Sequence, residues 1–207
     1  MSVNVNTNYT EMSKSAQSMR TDGKAINNSL VFVYNELNGM YDAEEWRGER
    51  YNNLILDFKK IDPSLKQIIK IVVQSVPDAL ETVANNYSKF DTGSAVGKLV
   101  SESITQLPAL TVGPKAPMKF NEVRISERGK KMYNELEKII DKLDSIDTTF
   151  GKIQWQSAAA DAFRPKFKSL KNNTKSTLES IKKQFKQVID EATEQMRRTE
   201  KANTITQ

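Results

Sequence analysis

The sequence predicts an all-α protein of two tandem antiparallel helical hairpins. Three observations predict it. Apolar residues recur in steps of three and four over long stretches, the period of a helix face. The pattern repeats when the chain is slid along itself by 109 residues. The two tryptophans, Trp46 and Trp155, fall on each other at that offset.

The elements follow in order. Met12, Ala16, Met19, Gly23, Ile26, Leu30, Val33, Leu37 and Met40 form a heptad seam, and a helix of about thirty residues makes a rod of roughly 45 Å. A turn is expected in Leu37–Gly48, signalled by Gly39 and Asp42, with Glu44 and Glu45 suited to the dipole of the next helix N-terminus. The second seam is Leu54, Phe58, Ile61, Leu65, Ile68, Val72, Val76, Leu80, Val83, Tyr87 and Phe90. Pro63 and Pro77 lie inside it, and each should kink or restart the helix, with Asp62 as an N-cap before Pro63. Residues 1–91 thus make the first hairpin. Residues 92–119, with Gly93, Gly97, Pro108, Gly113, Pro114 and Pro117, read as a linker that could hold a short helix in "KLVSESITQL". Residues 120–207 make the second hairpin, with a seam of Met132, Leu136, Ile139, Leu143, Ile146, Phe150 and Ile153. Beyond Trp155 the offset lays Leu54 on Phe163, Phe58 on Phe167, Ile61 on Leu170, Val72 on Ile181 and Val76 on Phe185.

Composition narrows the chemistry. The 207 residues include no Cys and no His. That removes thiol nucleophiles, thiolate metal sites, imidazole bases and the commonest metal ligand. The chain has no Gly-rich phosphate loop and no G-x-S-x-G. Its acid pairs, Glu44–Glu45 and Asp190–Glu191, are adjacent in sequence and point about 100° apart on a helix. No enzyme activity, cofactor or metal site is expected. The N-terminal "MSVNVNTNYTEMSKSAQSMR" has no apolar h-region, and no run of eighteen apolar residues occurs, so the expectation is a soluble protein, cytoplasmic unless export uses a signal on the folded structure.

A bulky residue at a hairpin turn can seal the end of the seam, and a small one lets the rods approach. Trp46-Arg47-Gly48 has that form. With the phased apolar positions after it, and Tyr87-Ser88-Lys89-Phe90-Asp91 at the end of the second helix, the chain resembles the early-secreted-antigen (WXG) family. These are small helical-hairpin proteins exported by type VII secretion systems of Gram-positive bacteria. The resemblance implies export without a cleaved signal peptide. It implies recognition by the secretion machinery, including its export ATPase, through W-x-G and Y-x-x-x-D motifs, and a co-secreted effector or WXG-like protein as a further partner. Family members pair as dimers of hairpins, so here the resemblance implies pairing within one chain, an intramolecular four-helix bundle that is a pseudo-dimer. The second copy departs from the pattern. Ser157 stands where Gly is expected, and Met196 and Glu200 stand opposite Tyr87 and Asp91. The export signal is therefore expected in Tyr87 and Asp91, combined with the Trp155 turn.

The charge is uneven. Residues 1–91 carry 10 Lys+Arg and 12 Asp+Glu, against 18 and 13 in residues 120–207. Lys166, Lys168, Lys171, Lys175, Lys182, Lys183 and Lys186 make a basic run that reads either as a solvated face complementing the acidic first half or as an attractor for anionic partners. Nucleic acid is not expected, because the cations are mostly Lys and the aromatics sit in the seam. Two readings compete with export: a membrane-active hairpin, whose mark would be an apolar tip, whereas both tips here are largely polar, and, behind it, a basic scaffold that binds nucleic acid.

Overall fold

The computed structural model describes residues 8–96, 102–114, 117–153 and 158–205. Its helices are α1 (Tyr9–Asp42), α2 (Glu49–Lys70), α3 (Val76–Thr92), α4 (Glu122–Lys152) and α5 (Ala158–Ile205), and a π-helical turn, Ile71–Ser75, joins α2 to α3 without a break. Counting α2–α3 as one rod, this is an all-α protein of four packed helices in a bundle-like arrangement. Two residue pairs, β1 (Trp46–Arg47) and β2 (Lys119–Phe120), form a short antiparallel bridge. Asn side chains open two of the helices. The Asn8 carboxamide oxygen accepts the Glu11 N–H at 3.0 Å, and that of Asn121 accepts the Arg124 N–H at 3.1 Å.

The described chain divides into two compact units, and each takes a segment of every rod. The first holds residues up to 27, 64–105 and 141–174. Met12, Ala16, Met19 and Ile26 pack there with Leu65, Ile68, Val72, Leu80, Leu143, Ile146, Phe150 and Phe167, all buried. Inside this unit Arg20 forks onto both carboxylate oxygens of Glu81 and onto Asp78 at 2.6 Å. Asp22 takes Lys142 at 2.7 Å and Ser145 at 2.9 Å. The second unit holds 28–63, 106–140 and 175 onward. Its core includes Leu30, Val33, Leu37, Phe58, Met132, Leu136, Ile181 and Phe185, with Phe58 edge-on to both Tyr34 and Phe185.

Every seam position named for α1 is buried, as is every one from Met132 to Ile153. The second rod differs after Leu80. Ala84 and Ser88 are buried, while Val83 is half-buried and Tyr87 and Phe90 are exposed. The cause is the π turn. Its Val76 N–H reaches back five residues to Ile71 O, so Val72 and Val73 both face inward, against Gly23. Pro77, which has no N–H to give, follows at once. Helical backbone does not restart there, and it continues through Pro63 as well, with the Asp62 carboxylate accepting the Tyr34 hydroxyl at 3.2 Å instead of capping a helix. The part of "KLVSESITQL" within the described residues, 102–107, is irregular backbone and not a helix.

Candidate functional site

The Trp46 turn is built from the end of α1. That helix continues through Gly39 to Asp42, and Glu44 then takes a left-handed conformation at φ 58°. The Ala43 and Glu45 N–H groups return to Gly39 O and Met40 O at 3.0 and 2.9 Å. Trp46 and Arg47 then run as β1 beside Phe120 and Lys119, and the Asn121 N–H donates to Glu45 O at 2.7 Å. The Trp46 side chain is 3% exposed and lies edge-on to Tyr51 at 5.6 Å. It seals the core of its unit. Gly48 stands at φ 126°, a conformation that side-chain-bearing residues avoid, and its carbonyl accepts the Asn52 N–H to start α2.

Charges surround this plug. The Arg47 guanidinium lies 4.6 Å over the Tyr41 ring, donating to Tyr41 O at 3.1 Å and Glu44 at 2.8 Å. Glu45 pairs with Arg128 at 2.9 Å. Glu44 and Glu45 thus make ion pairs, and the acid in the first turn of α2 is Glu49. Arg50 pairs with Glu191, which holds the Glu191 carboxyl below its ordinary range. The pair ties the first turn to α5, ahead of Met196 and Glu200.

Tyr87 and Asp91 lie on α3 in the other unit. Tyr87 is 37% exposed and Phe90 93%. Asp91 accepts the Tyr9 hydroxyl at 3.1 Å, and that bond raises the Tyr9 pKa. The helix end is firmly closed. Gly93 adopts the left-handed cap at φ 75°, its N–H on Lys89 O, and the Ser88 hydroxyl donates to Ser94 O at 2.7 Å. In the same unit Ile153 shares a small cleft with Asn8, Glu11, Met12 and Ser15. Ile153, just past the end of α4, therefore lies beside the start of α1. Trp155 and Ser157 themselves, and the Phe163 side chain, lie outside the described residues.

The lysine run divides. Lys166, Lys168, Lys183 and Lys186 are exposed. Lys171 is buried and pairs with Asp147 at 2.6 Å, while Leu170, its apolar neighbour, is half-buried. Lys182 pairs with Glu179 at 3.1 Å and lies over the Tyr133 ring, and Lys175 is half-buried. Among the described residues no group of carboxylates is placed to hold a metal ion, and no helix is long and apolar enough to cross a membrane. Sequence reasoning did not find Lys119 and Phe120, which complete the Trp46 turn. Their one signal was an aromatic residue directly before the Asn cap of α4. Comparison with known protein families, curated proteins and solved structures gives no match to this chain.

Proposed function

We propose that this chain is a non-enzymatic interaction protein exported by a type VII secretion system, or acting there as an export partner, and that the machinery reads it as a folded tandem of two hairpins. The observation that carries the reading is the Trp46–Gly48 turn. Its tryptophan is buried, its glycine holds a positive φ, and the turn joins two long antiparallel helices. The second support is the end of α3, where the slip in the seam turns Tyr87 and Phe90 outward.

In this reading the export signal is composite. Tyr87 and Asp91 contribute from α3, and the Trp155 turn contributes from the second hairpin. Export would then require the whole chain, because an isolated first hairpin lacks the second turn. The test is secretion in a host with a type VII system, comparing culture supernatant with cell pellet. Tyr87→Ala and Asp91→Ala should abolish export without lowering the melting temperature, and Met196→Ala and Glu200→Ala should leave it unchanged. Normal secretion of the Tyr87→Ala, Asp91→Ala double variant would overturn the proposal.

A further inference from the structure

Residues 102–114 are irregular backbone, yet side-chain amides hold them at defined points. Within the second unit two asparagines do this. The Asn52 Nδ2 donates to Gly113 O at 2.9 Å, and its Oδ1 accepts the Gly113 N–H at 3.1 Å. The Asn38 Nδ2 donates to Ala109 O at 2.8 Å, and its Oδ1 accepts the Thr111 N–H at 3.1 Å. The bonded residues, 109, 111 and 113, alternate. One edge of an extended strand presents its N–H and C=O groups with that period.

With residues 109–113 in place Asn52 is 5% exposed, so in that state its carboxamide depends on the main chain lying over it. A buried amide left without partners costs about 1–3 kcal/mol. A passing main chain offers a donor and an acceptor together, and Gly113 meets both needs. The side chains add selectivity. Leu110 is 7% exposed, whereas Ala109 and Thr111 point their side chains to solvent. A Cβ on Gly113 would overlap the Tyr41 ring. The site therefore reads main chain at three alternate positions, an apolar side chain at one position, and the absence of a side chain three residues later.

We propose that Asn38, Tyr41 and Asn52 form a peptide-binding site for an extended segment carrying an apolar residue three positions before a glycine. Residues 109–113 occupy the site in cis, and a peptide of the same pattern takes their place when they are released. Recognition by main-chain hydrogen bonds with side-chain pockets for selectivity is the chemistry of strand addition, performed here by helix-borne asparagines. The site adjoins the Trp46–Gly48 turn, since Arg47 lies over the Tyr41 ring and the Asn52 N–H bonds Gly48 O. It uses neither Tyr87 nor Asp91, so the secretion test and the peptide test can fail separately.

The test uses the full chain and a fluorescein-labelled synthetic peptide of residues 106–114. Gly113→Val in the protein expels the strap against Tyr41 and leaves both asparagines in place. Fluorescence anisotropy should show saturable binding of the peptide to this variant, and binding to the unaltered chain should be weaker by about tenfold or more, because there the site is filled. Adding Asn52→Ala should weaken binding about tenfold, as expected for a lost pair of buried hydrogen bonds. A folded Gly113→Val variant that binds no peptide, or binds it equally well with Asn52→Ala, overturns the proposal. A second measurement covers the case in which Gly113→Val does not fold. In the unaltered chain the Thr111 and Gly113 amides should exchange hydrogen slowly, and Asn52→Ala should release Gly113. Fast exchange of both amides in the unaltered chain also overturns it.

Discussion

Gly48→Ala isolates the backbone requirement of the Trp46 turn. At φ 126° an alanine sits in a region that is nearly closed to L side chains, at a strain of about 1–3 kcal/mol. The new Cβ would also meet Met118 Cγ at 3.3 Å. Met118 is 75% exposed and can move aside, so this contact adds little. Against the strain, alanine narrows the unfolded ensemble and returns about 0.4–1 kcal/mol. The net is a loss of about 1–2 kcal/mol, and for a chain of this size the melting temperature should fall by about 3–6 °C. Gly151→Ala is the matched control. It lies exposed near the end of α4 with nothing within 4 Å of an added Cβ, so helix propensity should leave stability unchanged or raise it by up to about 1 kcal/mol. Thermal melts followed by far-UV circular dichroism measure both variants. The same chemical change should therefore act in opposite directions at the two sites. A Gly48→Ala protein that melts at or above the unaltered chain would refute the argument that a strained turn selects this glycine.

Trp46→Ala should lose about 3–5 kcal/mol in urea unfolding, the range for emptying a buried aromatic site, and an unchanged midpoint would mean that Trp46 seals nothing. Arg20→Met should cost about 3–5 kcal/mol because it strands the buried Glu81 carboxylate, and Arg20→Met with Glu81→Leu should recover most of that. A double variant no better than the single one would contradict the pairing. Burial raises the hydroxyl pKa of Tyr34 and Tyr51, so both are neutral in the folded protein. The stability they contribute is complete below the ordinary tyrosine pKa of about 10 and is lost as pH rises above it. In an alkaline spectrophotometric titration these two should ionise only as helicity is lost, and six tyrosines titrating freely with the helices intact would be the contrary result. The Arg50–Glu191 pair is exposed and should contribute under about 1 kcal/mol. Because Glu191 is held low, that contribution is present above the ordinary glutamate pKa and vanishes as acid protonates it, so Arg50→Ala should lower the melting temperature slightly at neutral pH and not at all in strong acid.

The sequence by itself determined the helices, their antiparallel pairing and most of the core. The α1 seam from Met12 to Met40 and the α4 seam from Met132 to Ile153 are buried at every position named, because heptad spacing is a local property that any helix converts into one face. The Trp46–Gly48 turn was legible in part. Its bulky plug was expected, but the glycine was read as room for two rods to approach, whereas it serves a φ of 126° and has only the exposed Met118 beside it. Beyond Leu80 the local pattern was insufficient. Pro77 announces a disturbance, but a kink, a restart and a π turn all accommodate a proline. Packing of both Val72 and Val73 into the space over Gly23 selects the π turn, and with it the outward rotation of Tyr87 and Phe90. Composition marked 92–119 as a linker, yet the partners of its main chain, Asn38 and Asn52, stand more than sixty residues away on α1 and α2. Lys171 makes the same point about charge. Counted in sequence it belongs to a basic face, but an Asp147 carboxylate at 2.6 Å compensates its burial, and only the packing of α5 on α4 could bring that carboxylate to it.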